Sequence, residues 1–138
     1  MSRVVLVTGC SSGGIGFALC EEFARQGCKV YATSRRVETI GEFQSPHVEK
    51  LALDVTSNED VASVVKHITD AEGKIDIVVN NAGYFCPGAL IDQSLEDIQA
   101  NFDTNTFSVL RVAKAVIPLM AQRRSGVIVN IGSVVGEM

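Results

Sequence analysis

Long apolar runs are missing from this 138-residue chain. The longest, Val4 to Val7 and Ile75 to Val79 with Asp76 inside it, fall far short of the ~18 apolar residues that a membrane span requires. No spanning helix is predicted. Proline is scarce, at 3 residues, and no Pro/Gly/Ser linker, charge block or internal repeat divides the chain. A single domain over 1–138 is expected, since roughly 100 to 200 residues is the usual size of one. Histidine is limited to His47 and His67, neither beside a second ligand, and the four cysteines Cys10, Cys20, Cys28 and Cys86 include no Cys-x-x-Cys pair. Neither a metal site nor a disulfide framework is signalled, and a reducing cytoplasm fits best. Positive charge is not in excess either: 12 Lys+Arg against 16 Asp+Glu gives a net charge of −4, which argues against nucleic acid as a partner. The opening Met-Ser-Arg leads straight into Val4–Val7 and a Gly-rich stretch, too short and wrongly flanked for a signal peptide.

What is present is the composition of an ordinary globular chain, 46% apolar and 20% charged with 12 Gly. Short β-branched runs alternate with helix-like segments. Val4 to Val7 is apolar on both faces, as a buried parallel strand should be. Ile15, Leu19 and Phe23 recur at helical spacing, with Gly27 as the stop. Cys28 to Thr33 reads as a second strand and Val48 to Leu53 as a third. Ser57, with Asp60 three residues on, resembles a capping box ahead of Val61, Val64, Val65 and Ile68. Ile75 to Asn80 is a fourth strand, Ser94 opens a long helical region to about Met120, and Gly126 to Ile131 is a fifth strand. The spacing predicts an α/β fold: a doubly wound parallel sheet with right-handed crossovers and helices on both faces. In such sheets ligands bind beyond the carboxyl ends of the strands.

After the first strand comes Thr8-Gly9-Cys10-Ser11-Ser12-Gly13-Gly14-Ile15-Gly16, where backbone N–H groups and a helix N-terminus can receive a phosphate. The Gly9-x4-Gly14 spacing matches the start of a P-loop, but Ile15-Gly16 stand where Lys-Ser/Thr would be needed, so a P-loop NTPase is rejected. The dinucleotide fingerprint is imperfect too, with Leu19 where the third Gly would fall. A plain structural turn is the alternative; the position between strand and helix favours pyrophosphate. At the end of the second strand, where an acidic residue would hold the ribose 2′-OH of NAD, the chain has Thr33-Ser34-Arg35-Arg36. A planar guanidinium suits the 2′-phosphate of NADP, so NADP(H) is the predicted cofactor, the alternative being two arginines that only solvate a loop.

With these loops in place the chain resembles the short-chain dehydrogenase/reductase family. Four elements occur in order, each at a strand's carboxyl end: the Thr-Gly-x3-Gly-x-Gly-like loop, Asp54-Val55, Asn80-Asn81-Ala82-Gly83 and Asn130-Ile131-Gly132-Ser133. The first departs from the family by one residue, Gly13 and Gly14 being doubled. Cys-Ser-Ser-Gly-Gly-Ile-Gly is similar to the fungal-type NADPH-dependent 1-acyldihydroxyacetone-phosphate reductase subgroup, which implies a lipid precursor as substrate and permits an endoplasmic-reticulum or lipid-droplet surface location. The resemblance implies a Rossmann-type sheet of order 3-2-1-4-5, five of the usual seven strands. It implies cofactor contacts from Gly9, Ser11, Ser12, Gly14, Ile15, Gly16 and Arg35, an adenine contact from Asp54 with Val55 beside the ring, and a turn at Asn81, Ala82 and Gly83 that passes the riboses. Asn105 resembles the Asn that holds a water in the family's proton relay, and Ser133 the Ser that positions the substrate oxygen. For Asn80 and Asn81, turn formation by side-chain-to-backbone bonding is a compatible second role.

The family's Tyr-x3-Lys general acid/base pair has no counterpart: Tyr31 is followed four residues on by Arg35, and Tyr84 by Gly88. Without such a pair no group delivers the proton to a carbonyl oxygen. The expectation is therefore a domain incomplete at its C-terminus, the N-terminal portion of an NADP-dependent oxidoreductase acting on a small carbonyl or alcohol substrate. The chain alone is then inactive and marginally stable, with part of the family's dimer helices absent. A catalytically inactive nucleotide-binding or interaction module is the alternative. A Gly-loop methyltransferase is disfavoured by the Asn-Asn-Ala-Gly and Gly-Ser elements.

Overall fold

Val4, Val5, Leu6 and Val7 are buried on both faces of the first strand, which leaves their backbone groups no partner except other strands. In the computed structural model, which describes residues 2–137, that strand, β1 (Val4–Val7), is flanked by β2 (Lys29–Ser34) and β4 (Ile77–Asn80), both parallel to it. β3 (Val48–Ala52) adds outside β2 and β5 (Val127–Asn130) outside β4, giving the expected order β3-β2-β1-β4-β5. Register pairs Leu6 with Tyr31 on one side and Val78 on the other.

Among the described residues there are four α-helices: α1 (Ile15–Arg25), α2 (Asn58–Glu72), α3 (Leu95–Phe102) and α4 (Ser108–Arg123). Alternate β1 residues feed two cores. Val4 and Leu6 pack with Val61, Val64, Val65 and Ile68 of α2 and with Val112 and Val116 of α4. Val5 and Val7 pack with Cys20 and Ala24 of α1. The period-2 alternation of a strand thus distributes helices to the two faces.

Local signals account for the helix ends. Gly27, at φ +85°, follows α1. The Ser57 side chain caps α2 by accepting from Asp60 N at 3.1 Å. The reciprocal half of the capping box is absent, because Asp60 Oδ2 turns to accept from Asp54 N. Ser94 caps α3 in the same way through Asp97 N. The long helix expected from Ser94 is divided: a π-type segment, Asp103–Phe107, separates α3 from α4. β1 has the expected bounds, and those of the other four strands differ from the expected ones by one or two residues at one end or both.

At one edge of the sheet, β5 is exposed at Val127, Val129 and Asn130. Leu95, Phe102, Phe107, Leu110 and Ile117 of the α3–α4 region are exposed as well. No helix among the described residues is long and apolar enough to cross a membrane.

Candidate nucleotide site

The carboxyl ends of β1 and β4 are stitched together by one hydroxyl and one amide. Thr8, buried at the end of β1, accepts at Oγ1 from the N–H groups of Asn81 (3.0 Å) and Ala82 (2.9 Å). Asn81 Nδ2 donates in return to the carbonyls of Thr8 (3.1 Å) and Gly9 (2.9 Å). The result brings the backbones of the first loop and the Asn81–Gly83 turn into contact. A Cβ on Gly9, which sits at φ +71°, would stand 2.7 Å from Ala82 Cα, and one on Gly16 would stand 2.6 Å from both Gly9 O and Asn81 Nδ2. Only glycine fits either place.

Gly14 caps α1 without a side-chain hydrogen bond, so the first-turn N–H groups of that helix have no side-chain acceptor and can take an anion. Ser11 to Ile15 are exposed around it. The loop is held from outside by a helical turn at Val37–Thr39: Ser12 N donates to Thr39 O at 2.9 Å, and Thr39 Oγ1 donates to Arg36 O at 2.7 Å.

Between these loops lies an open cleft of about 390 Å³. Gly9, Ser11, Arg35, Asp54, Val55, Asn81, Ala82 and Gly83, all singled out in the sequence, line it together. Ser12, Gly14, Ile15, Gly16, Asn105 and Ser133 do not. Gly16 is buried beneath the loop, and Ser133 lies exposed beyond β5, its Oγ accepting from Val135 N at 3.2 Å. Ser34 and Arg36, beside Arg35 in the segment expected to select the cofactor, also line the cleft, as do Thr39, Thr56, Tyr84 and Thr104, for which the sequence signals no cofactor contact. Thr8 was likewise assigned none; a hydroxyl residue and an amide residue at two strand ends is the signal that could have found it.

Electrostatics favour an anion at one wall. Arg35 and Arg36 are exposed beside the end of β2, and no carboxylate occupies that position. Opposite, the hydroxyl and N–H of Thr56 hold the Asp54 carboxyl below the ordinary aspartate range; burial opposes this, and Arg35 and Arg111 reinforce it. Arg111 also fixes the floor, donating to Val55 O at 2.7 Å, Asn58 Oδ1 at 2.6 Å and Asp103 Oδ1 at 3.1 Å.

Asn105 lies in the π-type segment, where its side chain is committed to the neighbouring turn. Oδ1 accepts from Tyr84 N at 2.9 Å and Nδ2 donates to Tyr84 O at 2.8 Å. Asn130 Oδ1 accepts from Asn80 Nδ2 at 2.9 Å across β4 and β5. Of the two tyrosines, Tyr84 lines the cleft with Gly88 four residues on, and Tyr31 is buried, its hydroxyl donating to Glu72 at 2.7 Å, with burial and that carboxylate raising its pKa. Among the described residues no group of three or more His, Cys, Asp or Glu is arranged to hold a metal.

Residues 3–138 match the short chain dehydrogenase family. The chain belongs to that family. Among its relatives, the 3-oxoacyl-[acyl-carrier-protein] reductase FabG of Vibrio cholerae is 40% identical over 139 residues, covering 99% of this chain and 57% of the relative. The NADPH-dependent 1-acyldihydroxyacetone phosphate reductase of Schizosaccharomyces pombe is 37% identical over 134 residues, covering 96% and 45%. The second match does not stand above the first, so the subgroup suggested by the doubled-glycine loop is one of several at similar identity. A short-chain dehydrogenase structure from Streptomyces avermitilis superposes with a TM-score of 0.93 at 33% identity, covering 100% of this chain and 52% of that one. ElxO with NADP bound superposes at 0.90 with 29% identity, covering 100% and 58%. This short-chain dehydrogenase sequence thus spans about half the length of the relatives it matches.

Proposed function

We propose that the chain forms the NADP(H)-binding portion of a short-chain oxidoreductase, one that exchanges hydride between nicotinamide and the carbon of a carbonyl or alcohol. The observation that carries this reading is the cleft itself. Two arginines stand where β2 ends, Asp54 and Val55 face them at the end of β3, and the Asn81–Gly83 turn forms the far wall. A dinucleotide laid across the carboxyl ends of β2, β1 and β4 would place its phosphates over α1, where Gly14 leaves the N–H groups uncapped.

In this reading Gly9, Ser11, Ser12, Gly14, Ile15 and Gly16 shape and line the pyrophosphate loop, Gly9 and Gly16 by allowing it to sit against the turn. Arg35 pairs with the 2′-phosphate. Asp54, an anion at neutral pH, accepts from the exocyclic adenine amine, with Val55 along the ring. Ala82 and Gly83 flank the riboses, while Asn81 holds the turn to β1. When bound, the nicotinamide supplies or accepts the hydride. Asn105 is the residue that would hold a relay water, beside the cleft-lining Tyr84 to which its side-chain amide is clamped. Ser133 offers its hydroxyl to the substrate oxygen.

A lipid precursor such as an acyldihydroxyacetone phosphate is the substrate class suggested by the loop sequence, and the 37% identity to one such reductase supports it no more strongly than it supports an acyl-carrier substrate. Fluorescence titration with NADPH and NADH tests the cofactor reading. Arg35→Ala should weaken NADPH by ~1.5–3 kcal/mol and leave NADH nearly unchanged, as expected for loss of a charge-assisted bond. Equal losses for both cofactors would overturn the 2′-phosphate assignment.

A further inference from the structure

Cys10 and Cys20 are both fully buried, yet neither has a role in the cleft. Cys10 belongs to the first loop, between Gly9 and the exposed Ser11, and Cys20 sits one turn and a half into α1. Their sulfurs are 3.5 Å apart. Cys10 Sγ also lies 3.3 Å from Val7 O and donates to it. With that proton committed, the shared contact is one in which the Cys20 thiol donates to the Cys10 sulfur. The same bond lowers the Cys10 pKa against the effect of burial, and raises that of Cys20. The two thiols are thus differentiated, one inclined to become the nucleophile and the other to keep its proton.

We propose that Cys10 and Cys20 are an oxidisable dithiol, which a hydroperoxide converts to a disulfide that loosens the grip of the adjoining loop on its nucleotide. The cross-link stands independently of the nucleotide reading; only its effect on affinity rests on that reading.

The chemistry balances in two steps. Cys10 gives up its proton, the resulting thiolate attacks one peroxide oxygen, and the O–O bond breaks with the leaving oxygen taking up that proton. An alcohol, or water from hydrogen peroxide, leaves, and Cys10 becomes a sulfenic acid. The Cys20 sulfur then attacks Cys10 Sγ. The S–O bond breaks, the S–S bond forms, and water departs with the Cys20 proton. Two thiols lose two electrons in total and one peroxide gains them. Both sulfurs lie in the core cluster between α1 and the sheet, so oxidation proceeds through local opening of that region, which the exposed Ser11–Ile15 stretch adjoins.

Closure moves the sulfurs from 3.5 Å to a bonded ~2.05 Å, and the hydrogen bond to Val7 O is lost. Gly9 cannot yield, because it is packed against Ala82, and Cys10 N is held by Thr33 O at 2.9 Å. The displacement is therefore shared between α1, which carries Cys20 and is capped by Gly14, and the Ser11 to Gly14 stretch, held by Ser12 N to Thr39 O; both would meet pyrophosphate. Reciprocity requires a bound nucleotide to protect the dithiol by the same factor by which the disulfide weakens it.

The test is hydrogen peroxide treatment of the full chain, followed by thiol counting under denaturing conditions, peptide mapping and NADPH titration. The count should fall from the four free thiols to two, with Cys10 joined to Cys20, and dithiothreitol should restore all four. NADPH affinity should drop about fivefold or more, within the usual range for coupled sites, and recover on reduction. Cys20→Ala should form no internal cross-link and show no reversible loss of affinity. Four thiols surviving, a cross-link through Cys28 or Cys86, or a Cys10–Cys20 disulfide with unchanged NADPH affinity would each overturn the proposal. Failure of the reduced chain to bind NADPH would instead sink the nucleotide reading and leave the cross-link standing. Should Cys20→Ala not fold, reversal by dithiothreitol in the unsubstituted chain decides.

Discussion

Strands β1 and β5 are written in nearly the same letters, Val-Val-Leu-Val and Val-Ile-Val-Asn, and have opposite surroundings. In β1 no residue exceeds 2% exposure; in β5 Val127 is 54% exposed and Val129 38%. Both are parallel, both pair with β4, and both follow the same local rules. The difference is neighbours: β1 has strands on both sides and helices on both faces, whereas β5 pairs only with β4 among the described residues. An apolar run states what a segment can bury and leaves open what will cover it.

The sharpest way to break this comparison is to remove matched side chains. Leu6→Ala empties a fully buried position and should cost about 3–5 kcal/mol, read as a fall in the denaturant midpoint. Next comes the seam at the end of β1. Thr8→Val keeps the shape but deprives the Asn81 and Ala82 N–H groups of their acceptor. It should cost about 2–3 kcal/mol and weaken NADPH binding at the same time. A loss of stability with unaltered binding would mean that the seam does not shape the cleft.

A smaller effect, confined to acid, tests the base of the sheet. Burial would raise the pKa of Asp76, but the Val4 N–H with Lys74 and Arg123 outweighs it, so the carboxyl lies below its ordinary 3.8. A depressed acid contributes its stability fully above the unfolded value, and that contribution is lost as pH falls through the lower folded value. Thermal scans should therefore show Asp76→Asn destabilised at neutral pH, with the gap to the unsubstituted chain closing below about pH 4. A gap that stays constant into acid would contradict the assignment. Smallest of all, Val129→Thr in β5 should change stability by no more than about 0.5 kcal/mol. A loss comparable to that of Leu6→Ala would mean that β5 is covered in solution.

The features that proved legible in the sequence are local ones. Ser57 and Ser94 announce helix starts because the cap is made three residues away. The parallel α/β architecture follows from alternation, whereas the strand order came with the family resemblance, and Gly9 and Gly16 stand out because their motif reflects a backbone requirement. What escaped depends on distant partners. Nothing near Thr8 shows that its hydroxyl will serve residues 81 and 82. The apolar periodicity between Ser94 and Met120 reads as one helix, and the π-type segment becomes intelligible only when Asn105 is seen holding both backbone groups of Tyr84. Arg111 is unremarkable in a surface helix until Val55, Asn58 and Asp103 surround its guanidinium. Asp60, read as half of a capping box, instead serves the loop that carries Asp54.

The Thr8–Asn81 seam also sets a timetable. Its partners are 73 and 74 residues apart, so closing it demands the loop entropy of about half the chain and waits for β4 to dock. On a ribosome adding roughly 5–20 residues per second, the glycine loop leaves the exit tunnel several seconds before the turn it must lean against. During that interval no nucleotide cleft exists. A dinucleotide could speed nothing that precedes β4 and would act as a late clamp, holding a chain that has already found its central strands.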